Sequence, residues 1–377
     1  MSSRVPAEVF PPGEFIRDEL EARGWSQTDL ARILGRPLPT VNQIMSGKVG
    51  ITPTTAGELA EAFGTSAEFW LNLEVTYRLS LVNRPGGEVR KRAQLYEIAP
   101  VREMERRHWI KRTKTAADLQ SELNRFFGVK SLDERPAPVA LAARASAQMP
   151  EDEIVAAAQI AWCHRALQLA AAVHSVRFSK ETFEQGCKEL RQLAAHPEET
   201  RKVPRVLADM GVRLVVVEHL PKTGIDGAVL WTKPSPIIAL SMRFDRIDCF
   251  WHTLAHELSH VRHRDRYALD VDLVGDDRAG NAEVSDVETR ANAEAASMLI
   301  PSEQLESYMV RVKPYYSKER IIQFARRVAI HPGIVAGQLQ YRGEIKYSAT
   351  REMLVRVRDI LIESAMTDGW GKVVSLS

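Results

Sequence analysis

The chain has 377 residues, which is too long for one ordinary domain and predicts two or three. Hydrophobic residues make up 45% of it and charged residues 27%, a balance that excludes an extended disordered chain. The formal net charge of +2 excludes a strong attraction of the whole molecule to nucleic acid or to a membrane surface.

The three cysteines, Cys163, Cys187 and Cys249, form neither a disulfide framework nor a closely spaced metal-binding pair. Few, widely spaced cysteines are typical of proteins in a reducing compartment. The first residues lack the basic and apolar regions of a signal peptide, and no apolar run approaches the roughly 18 residues that a spanning helix needs. We therefore predict a cytoplasmic protein with no membrane partner.

The first segment, residues 1–80, predicts an all-α domain made of a row of short helices. Apolar side chains at helical spacing, with Ser26 as a typical helix start and Gly24 and Gly64 as typical ends, set the boundaries. The predicted helices span residues 14–23, 27–34, 39–45, 54–63 and 67–73.

Residues 81–175 keep a helical pattern but contain no catalytic constellation. We interpret them as a connecting helical domain that serves as a spacer, a dimerisation element or a sensor. A proline-rich stretch at residues 135–139 predicts a linker within it.

Residues 176–345 change in character and predict an α+β domain, followed by a C-terminal helix or tail at 346–377. Three apolar, β-branched runs at 212–217, 228–232 and 237–241 predict strands. Two helices, at about 247–263 and 286–299, follow these strands.

The first of these helices contains the pattern His256-Glu257-Leu258-Ser259-His260. Residues four apart lie on one face of a helix, so His256 and His260 can bind one metal ion. Glu257 lies beside them, where it can take a proton from a water molecule and pass it to a leaving amine. His252 is less suited to the metal, because Thr253 cannot act as the base after it. A surface helix that happens to contain these residues is the alternative.

A third metal ligand must come from elsewhere, and Glu288 on the next predicted helix is our choice. Asn292, one turn later, is predicted to hydrogen-bond a ligating histidine. Residues 285–288 also form a capping box, in which Glu288 would turn back on its own helix. The rival ligands are Glu283, Asp286 and Glu294.

These motifs resemble the ImmA/IrrE family of metallopeptidases. The likeness runs from the strand at 212, through residues 250–260 and 288–301, to residues 330–340. It implies a gluzincin-like fold, zinc or alternatively manganese as the cofactor, and a helix-turn-helix repressor as the protein substrate. Ala295 stands where an aromatic residue is common. His331 and Tyr341 are candidates for stabilising the oxyanion, and both have an equally good structural interpretation.

The first domain resembles the Cro-type helix-turn-helix of HigA-like antitoxins. The likeness runs from Pro12 through the stretches 26–31 and 41–48 to residues 69–71. It places one residue at the start of the first motif helix, three on the recognition helix and one just after it. The predicted DNA contacts are Gln27, Thr40, Asn42, Gln43 and Lys48.

These observations predict a DNA-binding regulatory metalloendopeptidase that binds an operator, forms a homodimer and cleaves a repressor or itself. Leu38-Pro39 at the start of the recognition helix departs from the usual polar pattern, and residues 1–77 are net acidic. The domain could therefore bind a protein partner instead of an operator. The alternative function is a HigA-like repressor or antitoxin whose metal site is structural or vestigial.

Overall fold

The computed structural model describes residues 9–81, 87–131, 153–232, 235–265, 267–271 and 286–372. The chain divides into two compact units, Met1–Arg90 and Lys91–Ser377. Within the described ranges, every helix is too short or too polar to cross a bilayer. The predicted linker at 135–139 and the rival ligand Glu283 lie outside the described residues.

The first unit contains the predicted row of helices. They are α1 (Pro12–Arg23), α2 (Gln27–Ile33), α3 (Leu38–Met45), α4 (Pro53–Phe63) and α5 (Ala67–Leu81). Ser26 and Asp29 form a reciprocal capping box at the start of α2. Gly24 and Gly64 end α1 and α4 in the left-handed conformation, as predicted. Helix α5 is longer than predicted because neither glycine nor proline occurs between residues 74 and 81.

Among the described residues, the core of the first unit consists of side chains between Phe15 and Leu73. It includes Leu30 and Ala31 of α2, and Val41 and Ile44 of α3. Trp70 is fully buried in this core and donates a hydrogen bond from Nε1 to Thr65 Oγ1 at 2.8 Å. Trp70 is therefore a core residue.

The second unit contains helices and strands in mixed order. In chain order they are α6 (Glu88–Ile98, which crosses the boundary between the units), α7 (Val101–Arg106), α8 (Ala116–Phe127), α9 (Glu153–Ala170), α10 (Lys180–Leu193), a 3-10 helix (Pro197–Lys202), α11 (Val203–Asp209), β1 (Arg213–Val217), β2 (Ile225–Trp231), β3 (Pro236–Leu240), α12 (Ile247–His263), β4 (Tyr267–Val271), α13 (Asp286–Leu299), α14 (Ser302–Val312), α15 (Lys318–Arg327), α16 (Pro332–Tyr341), a 3-10 turn (Arg351–Met353), α17 (Arg358–Ser364) and β5 (Met366–Asp368).

The strands form one mixed five-stranded sheet in the order β4-β2-β3-β1-β5. Strand β1 pairs in parallel with β3 and β5, whereas β2 pairs antiparallel with β3 and β4. The sequence predicts β1, β2 and β3 but neither β4 nor β5. Strand β5 has only three residues and no β-branched run, which leaves almost no periodic pattern to detect.

Helices cover both faces of the sheet. Leu214 and Val216 of β1 enter the core formed with the helices from α10 onward. Val215 and Val217, on the opposite face, enter a second core with residues of α6 to α9. The predicted boundary at 175/176 therefore lies inside one compact unit, because the preceding helices share a core with the sheet.

The segment 346–377, predicted as a separate helix or tail, is also part of this unit because it supplies β5. Asp368 of β5 forms a buried ion pair with Arg165 of α9. Trp109 donates a hydrogen bond from Nε1 to Asp368 Oδ2 at 3.0 Å. The boundary at 345/346 thus also lies within the second unit.

Candidate metal centre and nucleic-acid interface

Helix α12 carries the HExxH residues and packs against β2, β3 and α13. Its apolar side chains, including Leu254 and Leu258, enter the core beneath the sheet. The helix ends at Arg264, which adopts the left-handed conformation with a φ of 57°. His256 and His260 lie in the middle and last turn of this helix, and both are fully buried.

The two histidines converge with Glu288 of α13. His256 Nε2 lies 3.0 Å from His260 Nε2 and 3.1 Å from Glu288 Oε2. His260 Nε2 lies 3.6 Å from the same carboxylate oxygen. A tetrahedral zinc ion with bonds of about 2.0–2.2 Å keeps its ligand atoms roughly 3.3–3.6 Å apart. One of the three separations matches this range and the other two are a few tenths of an ångström shorter, so the three donor atoms form a group that could hold one metal ion.

His260 is oriented by a contact that the sequence did not reveal. Its Nδ1 atom lies 3.1 Å from Asp265 Oδ2, and Arg290 Nη2 donates to the same oxygen at 2.5 Å. The chain reverses after Arg264, and the Asp265 amide donates to the His260 carbonyl. A carboxylate on Nδ1 fixes the tautomer that presents the Nε2 lone pair to a metal.

Glu257 is fully buried and its carboxylate lies close to the backbone of β2. A Cβ atom at Gly227 would lie 2.0 Å from Glu257 Oε1. Only glycine at this position leaves space for the carboxylate. Gly227 is therefore a second residue of the site that the sequence interpretation missed.

The rival ligand Glu294 holds α13 against α12 instead. It accepts hydrogen bonds from Ser259 Oγ at 2.9 Å and from Arg262 Nη1 at 3.3 Å, and its Oε1 lies 2.7 Å from His263 Nε2. Burial raises the pKa of Glu294, but the hydrogen bonds from His263 and Ser259 outweigh it and hold the pKa below its ordinary value. Asp286, another rival, is exposed at the start of α13.

Asn292 does not make the predicted contact with a ligating histidine. It lines a cavity beside the cluster, and its buried Oδ1 accepts no hydrogen bond from the residues that the structure describes. Asp265 occupies the role predicted for Asn292, because the end of α12 turns back toward His260.

The two residues considered for oxyanion stabilisation lie in different surroundings. His331 caps α16, with Nδ1 accepting a hydrogen bond from the Gly333 amide at 3.1 Å. Burial lowers the pKa of His331. This geometry favours the structural interpretation of His331. Tyr341 lines the cavity beside His252, with 6.4 Å between the two ring centroids.

The predicted DNA contacts lie on the outside of the first unit. Gln27 is exposed at the start of α2, and Asn42 and Gln43 are exposed on α3. Thr40 is half-buried on the same helix, and Lys48 is exposed just after it. Because α3 buries its opposite face in the core, its polar side chains are available to read base edges in the major groove.

Comparisons with known proteins match this first unit. A family described as helix-turn-helix matches residues 16–70. Virulence-associated protein I of Dichelobacter nodosus is 36% identical over 74 residues, which are 19% of this chain and 68% of that protein. The uncharacterized HTH-type transcriptional regulator YddM of Escherichia coli strain K12 is 30% identical over 69 residues, 18% of this chain and 73% of that one.

Two solved structures are similar over the same region. The Pseudomonas aeruginosa antitoxin HigA with the higBA promoter is 42% identical and covers 19% of this chain and 80% of its own, with a TM-score of 0.19. An addiction module antidote protein of a HigA family from Coxiella burnetii is 41% identical, with coverages of 19% and 77% and a TM-score of 0.18. Through its N-terminal unit, the chain belongs to the helix-turn-helix family of DNA-binding regulators.

Proposed function

We propose that this chain is a DNA-binding regulatory metalloendopeptidase with a gluzincin-like centre that cleaves a helix-turn-helix repressor or itself. The observation that carries the proposal is the convergence of His256, His260 and Glu288, whose ligand atoms lie within 4.8 Å of one another. Buried Glu257 adjoins them on α12. A structural metal site needs no such base, so its presence favours catalysis over a purely structural ion.

In the proposed peptide hydrolysis, different residues bind the metal, transfer the proton and orient a metal ligand. A bound zinc ion, or alternatively manganese, would lower the pKa of water and polarise the scissile carbonyl. Glu257 takes a proton from the attacking water, whose oxygen bonds to the carbonyl carbon. Glu257 then passes that proton to the amide nitrogen as the carbon–nitrogen bond breaks. Asp265 keeps His260 in the ligating orientation throughout.

Replacing Asp265 with alanine is expected to weaken zinc binding about 10- to 100-fold, because His260 loses the carboxylate that fixes its tautomer. Competition between the protein and a chromogenic zinc chelator measures this affinity. Asp209→Ala, which removes an exposed acid on α11, is the matched control and should leave the affinity unchanged. Equal zinc affinity in Asp265→Ala and the wild type would refute the orienting role.

Asn42→Ala and Gln43→Ala are each expected to weaken operator binding by about 1–3 kcal/mol, because each removes a side chain that can bond an adenine edge. The operator is first selected from a random duplex library, and affinity is then measured by fluorescence anisotropy at fixed salt. Glu61→Gln on α4 changes an exposed side chain outside the recognition helix and serves as the control. If the library yields no preferred DNA sequence, a protein partner for this unit would be favoured instead of an operator.

The proteolytic proposal is tested by incubating the zinc-loaded chain alone and with purified helix-turn-helix repressors encoded beside it. Mass spectrometry identifies any new termini. We expect one or a few cuts that disappear when a chelator removes the metal. Zinc binding with operator binding, but with no cleavage of any of these proteins, would favour the alternative of a regulator with a structural metal.

A further inference from the structure

The positive charges of the chain are unevenly distributed. Residues 1–77, which contain the helix-turn-helix, carry 6 lysines and arginines against 10 aspartates and glutamates. Residues 106–117, in the second unit, carry 5 lysines and arginines and no acidic residue. Contacts with phosphates supply much of the affinity of a protein for DNA, because each neutralised phosphate releases counterions. The first unit is therefore short of the charge that binding to a duplex uses, whereas the second unit has it nearby in the chain.

Four of these cations come together on the outside of the second unit. Arg92 of α6 donates from Nη1 to the Lys114 carbonyl at 2.9 Å and from Nη2 to the Thr113 carbonyl at 3.2 Å. These bonds join α6 to the segment 111–114, which lies between α7 and α8. We call the resulting patch the basic surface, and it consists of Arg92, Lys111, Arg112 and Lys114. The last three are exposed, and Arg92 is half-buried.

The segment that carries the basic surface is held at both ends. Ile110, just before it, is buried. The Lys111 amide donates to Glu122 Oε2 of α8 at 2.9 Å. Thr115, just after the segment, caps α8 by accepting a hydrogen bond from the Asp118 amide at 3.1 Å. The backbone is thus positioned before any ligand binds, so contact with an anion costs less conformational entropy than it would in an unanchored loop.

The charge of the basic surface is almost uncompensated by the protein itself. Arg92 bonds to carbonyl groups and not to a carboxylate. In the part of the chain that the structure describes, one carboxylate comes within 4.0 Å of the four cations, that of Glu105, at 4.0 Å from Arg112 Nε. The side chain of Arg112 is 86% exposed, and an exposed pair of this kind contributes little. The four cations are therefore available to an external anion.

The covalent connection to the helix-turn-helix makes DNA the anion that these cations meet first. Eleven positions separate Leu81, the last residue of α5, from Arg92. A connection of this length spans at most about 40 Å, little more than one turn of a DNA duplex. Binding of the first unit to an operator thereby raises the local concentration of duplex phosphates around the basic surface. An acidic protein partner would gain no such advantage.

We infer that the basic surface binds the phosphates of the duplex that flanks the operator, independently of base sequence. The inference rests on the DNA-binding part of the proposed function and not on peptidase activity. Phosphate contacts carry no sequence information. The basic surface therefore adds affinity and salt dependence, while the recognition helix α3 selects the sequence.

The test compares two duplexes that contain the selected operator, one without flanks and one with roughly 12 added base pairs, just over one turn, on each side. Fluorescence anisotropy with the full chain gives the affinity at several salt concentrations. The triple variant Lys111→Gln, Arg112→Gln, Lys114→Gln keeps the backbone carbonyls that hold Arg92. On the flanked duplex, we expect it to reduce the slope of log affinity against log salt by about 2 to 3 in magnitude, because each phosphate contact contributes about 0.9.

The matched control is Lys180→Gln, Lys188→Gln, Arg205→Gln, which removes the same charge from exposed positions of α10 and α11, on the other face of the sheet. It should keep the wild-type slope. The two triple variants should bind the unflanked duplex alike, and scrambling the flanks should change nothing. An unchanged slope in the first variant, an equal loss in the control, or a gain that depends on the flanking sequence would each overturn the assignment.

The outcomes separate this inference from the proposed function. Operator binding with equal slopes for wild type and variant would refute the basic surface alone and leave the DNA-binding regulator intact. Failure of the wild type to bind either duplex would refute both. Cleavage of a repressor, or its absence, has no bearing on the result, because neither metal nor substrate enters the measurement.

Discussion

Replacing Glu257 with glutamine is expected to lower the rate of peptide cleavage about 10²- to 10⁴-fold, the contribution typical of a positioned general base. Glutamine has nearly the same shape and remains neutral, so it cannot take the proton from the attacking water. The side chain is fully buried against β2, and an isosteric replacement adds no atom to the narrow space beside Gly227. The measurement is the initial rate of substrate loss with the zinc-loaded protein.

Two controls separate the loss of a base from the loss of the site. Glu303→Gln makes the same chemical change at an exposed position of α14 and should leave the rate unchanged. Zinc content and thermal stability of Glu257→Gln should match the wild type, because Glu257 is not among the three converging ligands. A variant that retains full cleavage would show that another group moves the proton.

Replacing Asp368 with alanine is expected to reduce the free energy of unfolding by about 3–5 kcal/mol, the usual cost of leaving one member of a buried ion pair without its partner. The side chains of Arg165 and Asp368 are only 5% and 4% exposed. The change also removes the acceptor for Trp109 Nε1. Urea denaturation monitored by circular dichroism measures the difference.

Asp209 offers the matched comparison, because it faces Arg205 in an exposed pair on α11. Asp209→Ala should change the free energy of unfolding by less than about 0.5 kcal/mol. If Asp368→Ala had an equally small effect, the pair between α9 and β5 would not stabilise the second unit. The Asp368 variant should leave operator binding intact, since the first unit has a separate core.

Local signals in the sequence account for the first unit. The capping box at Ser26 and the glycines at 24 and 64 act within one turn of the residues they terminate, so their effect can be predicted without tertiary structure. The placement of α9 could not be predicted in this way. Its apolar side chains suit another helix or a sheet equally well, and Trp162 Nε1 donates to the carbonyl of Val217 in β1 at 3.0 Å.

The residues of the candidate site also fall into two groups, those that local sequence spacing predicts and those that only tertiary packing brings together. His256 and His260 lie together because residues four apart share one face of a helix, and this spacing can be read directly from the sequence. Asp265 reaches His260 only because the chain reverses at Arg264. Gly227 meets Glu257 only through the packing of β2 on α12. Contacts that depend on a reversal or on the packing of distant elements carry no fixed spacing, which explains why the sequence did not reveal them.

The position of β5 affects how the protein forms on the ribosome. This strand follows all the other described elements in the chain, and it supplies the carboxylate that neutralises Arg165. Domains near the N-terminus fold first during synthesis. A nascent chain would therefore have a finished DNA-binding unit while Arg165 still lacked its counter-ion. A message truncated just before residue 366 would then produce a folded helix-turn-helix unit joined to a second unit that lacks β5 and is a target for cellular proteases.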